Sequence, residues 1–180
     1  MSQVVAAIGA AVFLGAVMTA ADFVWAYFDV RHTVVAGLAH GAVMCLCIGL
    51  VIGARARRLV AGIVAGPLIG VLAAAAFYAM SPTLGWGAML PAWMLFWICF
   101  ALLQHFLRPE TLGRALARGL VAAVVSGLAF YAISGIWMSP SPGGPDYLVH
   151  LGYWSFAFLP GFLALLAVLP SRKDSSLRRA

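Results

Sequence analysis

Apolar runs of about 20 residues follow one another along the whole chain, separated only by short breaks that hold most of its charges and turn residues. A helix rising about 1.5 Å per residue needs a run of that length to cross about 30 Å of hydrocarbon. Inside a bilayer the backbone must satisfy its own hydrogen bonds, which leaves helices or closed barrels. Barrel strands alternate polar and apolar residues over about ten positions, and these runs do not alternate. Composition agrees: 64% of the residues are hydrophobic and 9% are charged, against about 45–50% and 25% in soluble domains. The expected fold class is therefore an all-α integral membrane protein.

The apolar windows predict helices near 4–28, 33–54, 59–80, 87–107, 115–138 and 147–169. Between them stand "RARR" at 55–58, "SPTLG" at 81–85, "RPETLGR" at 108–114 and "SPSPGGPD" at 139–146, all rich in charge or in turn formers. This predicts a six-transmembrane-helix bundle of three hairpins, about 4–54, 59–107 and 115–169. Together they make one domain over 1–170, followed by a basic cytoplasmic tail at 171–180. The first run has no basic segment before it and is as long as a full span, so it is read as the first helix and not as a signal peptide.

Charge supplies an orientation. Arg55, Arg57, Arg58, Arg108, Arg114, Arg118, Arg172, Lys173, Arg178 and Arg179 fall on one side of these spans and Arg31 on the other. The positive-inside rule then puts both termini in the cytoplasm, in what is expected to be a bacterial inner (plasma) membrane. The net charge of +6 predicts contact with anionic head groups on the cytoplasmic side of the bilayer. No folded soluble part exists to present these residues to nucleic acid.

Two segments echo each other. "RRLVAGIVAG" (57–66) resembles "ARGLVAAVVSG" (117–127), and "AFYAMSP" (76–82) resembles "AFYAISGIWMSP" (129–140). Both copies run in the same direction, which predicts a parallel internal repeat about an axis along the membrane normal. Gly62, Gly66 and Gly70 on the third helix, and Gly37 and Gly41 on the second, form small-xxx-small steps that let helix backbones approach closely. They suggest that the third helix is central. Pro67, Pro91 and Pro160 lie within spans and are expected to kink them. Cys45, Cys47 and Cys99 lie in apolar runs and are expected to be reduced packing thiols.

The candidate chemistry gathers at the outer ends. Asp29, Arg31 and His32 occupy the first outer turn; Asp146 and His150 are four apart at the start of the sixth helix and share a face. Asp22 lies six residues before the end of the first helix and His40 seven into the second, both roughly 9–10 Å deep. A carboxylate at the membrane centre costs about 2.5–3.5 kcal/mol on the lenient insertion scale, so a partner at matching depth is expected. The Trp and Tyr residues also cluster toward this side, where Trp25, Tyr78, Tyr131 and Trp154 complete an expected Asp/His/aromatic cup. His105, near the opposite ends, is expected to reach the interface.

These residues support binding or transport of a small solute or cation through Asp22, His40, Asp146, His150, Trp25, Tyr78, Tyr131 and Trp154. Asp22 and His40 would be the ligands of a divalent metal, should a cofactor be present. The size and span count are similar to those of the substrate-binding subunits of some vitamin-uptake transporters, with no shared motif. The second reading is a non-catalytic accessory subunit, partnered by other membrane subunits or by copies of itself. An intramembrane enzyme ranks third. Ser126–Gly127 lacks the Gly-x-Ser-Gly context of a rhomboid-like protease, Asp22 is the one carboxylate within the spans, and His40, His150 and His105 lie at heights poorly matched for haem.

Overall fold

The computed structural model describes residues 3–28, 33–108, 110–137 and 146–166, with the side chains of 134–137 left out. The turn holding Asp29, Arg31 and His32, the Trp137 side chain, the proline-rich segment before Asp146 and the basic tail lie outside the described residues. What is described is helical: α1 (Gln3–Tyr27), α2 (Val34–Ala56), α3 (Leu59–Leu84), a 3-10 turn (Gly85–Ala88), α4 (Met89–Leu107), α5 (Leu112–Trp137) and α6 (Tyr147–Leu166). Five helical stretches are long and apolar enough to cross a membrane, the run Leu59–Leu107 through α3, the 3-10 turn and α4 being one continuous stretch of 49 residues.

Local chemistry sets several of the ends. Thr33 caps α2, its Oγ1 accepting from the Ala36 amide at 3.1 Å. Asp146 does the same for α6 through the Val149 amide at 3.2 Å. At the other end of α2, Arg57 adopts a left-handed conformation (φ 56°), and the Arg57 and Arg58 amides return to the carbonyls of Ala54 and Gly53. This closure resembles the usual glycine-terminated helix end, with arginine taking the strained position. It turns the chain straight into α3.

The α2–α3 pair is then zipped by glycine. A Cβ on Gly62 would overlap the Gly49 carbonyl, one on Gly70 the Gly41 carbonyl, and one on Gly66 the Cys45 carbonyl. In a bilayer no hydrophobic effect drives helices together, so this close van der Waals approach is what holds the pair. It does not make α3 central, as expected from sequence. Only Gly62, Gly66, Gly70 and Ala73 of α3 are buried, while Val60, Leu68 and Leu72 face outward. A small-residue stripe needs one close neighbour, not neighbours all round. Apolar residues on the remaining surface suit lipid.

The core instead centres on α4. Trp93, Phe96, Trp97, Phe100 and Ala101 of this helix are buried in one cluster with Leu14 and Met18 of α1, Ile48 of α2, and Phe158 and Phe162 of α6. Trp97 fits because Gly161 faces it; a methyl there would strike the indole. Each helix packs on its neighbours in the chain, and α6 closes the ring against α1. The most extensive pairings are α2–α3 and α1–α6, followed by α4–α5 and α5–α6, while among helices adjacent in the chain α1 and α2 touch least. The tight pairs are thus not all the predicted hairpins. Pro91 also departs from expectation: it sits in the first turn of α4, where a missing amide hydrogen costs no helical bond. Pro67 and Pro160 lie within α3 and α6. Cys45, Cys47 and Cys99 are free thiols, the first two buried.

Candidate functional site

A cavity of about 850 Å³ opens where α1 ends and α2 begins, at the end of the ring remote from the Arg57–Arg58 turn. All six helices contribute to it. Its shape follows from an asymmetry of residue size. On α2 and α3 the walls are Ala36, Gly37, Gly41, Gly70, Ala73 and Ala74, which leave room. On the opposite side, Trp25, Trp93, Phe96, Phe130 and Trp154 supply broad rings. The loose α1–α2 pairing leaves the space unfilled.

The rings are locked to one another. Trp154 stacks on Phe158 (5.5 Å between centroids, 11° between planes), Phe158 on Trp93 (5.3 Å, 17°), and Trp93 on Phe130 (4.4 Å, 27°). Such contacts contribute about 0.5–1.5 kcal/mol each beyond burial. The Trp93 indole is pinned further. Its Nε1 donates to Ser126 Oγ at 2.9 Å, and that hydroxyl donates to the Ala157 carbonyl at 2.7 Å. Ser126 therefore joins α4, α5 and α6, a structural use of the hydroxyl.

The polar groups of the cavity are held by indoles. Trp154 Nε1 donates to Asp22 Oδ2 at 2.7 Å. Trp25 Nε1 donates to His40 Nδ1 at 2.8 Å. The partner expected for Asp22 at matching depth was His40, directly or through one bound water or ion; the hydrogen bonds at these two side chains come from the indoles of Trp154 and Trp25. The two residues nonetheless line one cavity, and Trp154 links them, its ring centroid lying 6.2 Å from that of His40. His150 also lines the cavity and meets Phe23 edge-on at 5.1 Å.

Tyr78 lines the cavity and donates to the Thr33 carbonyl at 3.5 Å. Tyr131 does not line it; its hydroxyl donates to the Trp86 carbonyl at 3.1 Å, bracing the 3-10 turn. Each of these bonds spans 45 residues. Asp146 also stands apart as the exposed cap of α6. Trp86, Trp93, Phe96 and Phe130, which the sequence reading did not name as site residues, are cavity walls. The shared "AFY" at 76–78 and 129–131, beside the cavity residues Phe77 and Tyr78, is the one sequence signal that could have found Phe130.

The donor chemistry does not suit a metal at Asp22 and His40. An indole nitrogen only donates, so His40 Nδ1 is the acceptor and the neutral ring carries its proton on Nε2. That leaves no free lone pair on the ring for a cation. Among the described residues no three His, Cys, Asp or Glu side chains gather as a metal group.

At the other end of the ring, Arg118 pairs with Glu110 and donates to Gln104 Oε1 at 3.0 Å and to the Leu165 carbonyl at 2.7 Å. Arg108 reaches the Arg55 carbonyl. His105 is held by the Glu110 carbonyl at 2.6 Å, a structural contact. These bonds tie the ends of α2, α4, α5 and α6 together and leave the cavity untouched.

Compared with protein-family models, with curated proteins and with solved structures, the chain gives no match.

Proposed function

We propose that this chain is a six-span membrane protein that binds a small solute in the α1–α6 cavity and carries it across, or delivers it within, the bilayer. One observation carries the reading: a cavity of about 850 Å³ walled by interlocked aromatic rings, with Asp22, His40 and His150 on its surface. Ligand sites typically combine about 300–1,000 Å³ of mostly apolar space with a few fixed polar groups. Asp22 and His40 are half-buried and held by indole donors, His150 is buried beside them, and ionisable groups within spans are functional candidates by default.

In this reading α3 and α4 cross separately, both termini are cytoplasmic and the cavity opens outward. The basic end, with Arg57, Arg58 and Arg114 exposed, meets anionic head groups. The repeat unit is α2–α3 matched to α4–α5 rather than the predicted hairpins. The equal spans of the Tyr78–Thr33 and Tyr131–Trp86 bonds support it. So does the way Gly66 meets Cys45 and Leu46 while Gly119 meets Ile98.

The test is thermal melting of the purified protein in mild detergent against a panel of small cationic, neutral and anionic solutes. Met89 lines the cavity, and Met89→Trp fills it. At least one class of solute should raise the melting temperature of the wild type and leave the folded variant unchanged. No response in the wild type, or equal responses in both proteins, would count against the proposal.

A further inference from the structure

We infer that the ligand of this cavity is an organic cation with an apolar body, seated with its charge near Asp22 and its body against the indoles. The inference rests on the proposed solute site and names its substrate class. Among the described lining residues Asp22 is the one Asp, Glu, Lys or Arg, so the charge they contribute to the cavity is negative.

The Asp22 carboxylate is fixed by the Trp154 indole at 2.7 Å, and a donor-only N–H stabilises negative charge without cancelling it. Trp25 and Trp154, which hold His40 and Asp22, line the same cavity, and an open indole face attracts cations, Trp more strongly than Tyr or Phe.

The indole hydrogens add selectivity. Those of Trp25, Trp93 and Trp154 are committed to His40, Ser126 and Asp22. They are therefore engaged and do not offer donors to an anion. His40, accepting at Nδ1, carries its proton on Nε2. A bare metal ion would find no lone pair on that ring; a protonated amine or quaternary ammonium on an apolar skeleton needs none.

The experiment holds the skeleton constant and varies the charge. 4-Phenylbutylammonium, 4-phenylbutan-1-ol and 4-phenylbutanoate are titrated against the purified full chain in mild detergent, followed by tryptophan fluorescence and by isothermal calorimetry. The ammonium should bind at least about tenfold more tightly than the alcohol, and the carboxylate weakest. Asp22→Asn keeps an acceptor for Trp154 and should bring the ammonium to the level of the alcohol. Because the series on the wild type needs no variant, a failure of Asp22→Asn to fold does not blunt the test. Binding of the alcohol or the carboxylate at least as tightly as the ammonium, abolished by Met89→Trp, would overturn the cation assignment and leave the solute cavity standing. Binding that Met89→Trp does not change would overturn both.

Discussion

Trp154 and Asp22, 132 residues apart in sequence, meet through an indole-to-carboxylate hydrogen bond of 2.7 Å that joins α6 to α1 at the wall of the cavity. The ring carrying that donor is itself stacked on Phe158. Its position is set by packing and the carboxylate's by the ring. Trp154→Phe retains the stacking and removes the donor. A hydrogen bond to a charged group contributes about 1.5–3 kcal/mol, so the variant should melt several degrees lower and bind solute more weakly. An unchanged melting curve together with unchanged binding would show that the bond organises nothing.

The glycine contacts on α2 and α3 predict a sharp contrast within one residue type. Gly62→Leu drives a side chain into the Gly49 backbone. Overpacking costs about 1–3 kcal/mol where neighbours can give way, and more is expected against a carbonyl. Gly113→Ala, with nothing within 4 Å of the added carbon, should be neutral or slightly stabilising through helix propensity. Melting in detergent compares them directly; equal effects would contradict the zipper.

Much of this architecture was legible in the sequence because its breaks are chemically explicit. The arginine cluster at 55–58 and the Pro and Gly residues after 80 mark helix ends within a few residues. The facing of each helix was not legible. In a bilayer both the core face and the lipid face are apolar, so periodicity carries little information. Asp22 and His40 line one cavity, yet position along a helix says nothing of azimuth, and their indole partners could not be chosen. The same limit made α3 look central: glycine spacing reports a close backbone neighbour but not how many neighbours there are. Asp146 carried a readable signal that was missed, a capping aspartate directly before a helix.

Ser126 predicts a purely structural phenotype. Ser126→Ala removes the acceptor of the Trp93 indole and leaves that buried donor unsatisfied, a cost of about 1–3 kcal/mol. The protein should lose stability and, once folded, retain solute affinity to within a few-fold, since Ser126 does not line the cavity. Loss of binding without loss of stability would assign Ser126 a different role.

The Arg118 network provides the complementary control. Arg118→Ala breaks the ion pair to Glu110 and the bonds to Gln104 and Leu165 at the far end of the ring. The melting temperature should fall, with solute selectivity unaltered. A change in the rank order of bound solutes would mean that the two ends are coupled, which the separation of network and cavity does not predict.

The central claim is that the cavity at the end of the ring where α1 ends and α2 begins is a solute site. The most direct measurement is native mass spectrometry of the chain released from mild detergent after exposure to a cationic, a neutral and an anionic solute. Wild-type protein should retain a single small-molecule adduct per chain, and the folded Met89→Trp variant should be bare. Wild-type chains without an adduct, or the same adduct on both proteins, would contradict the account.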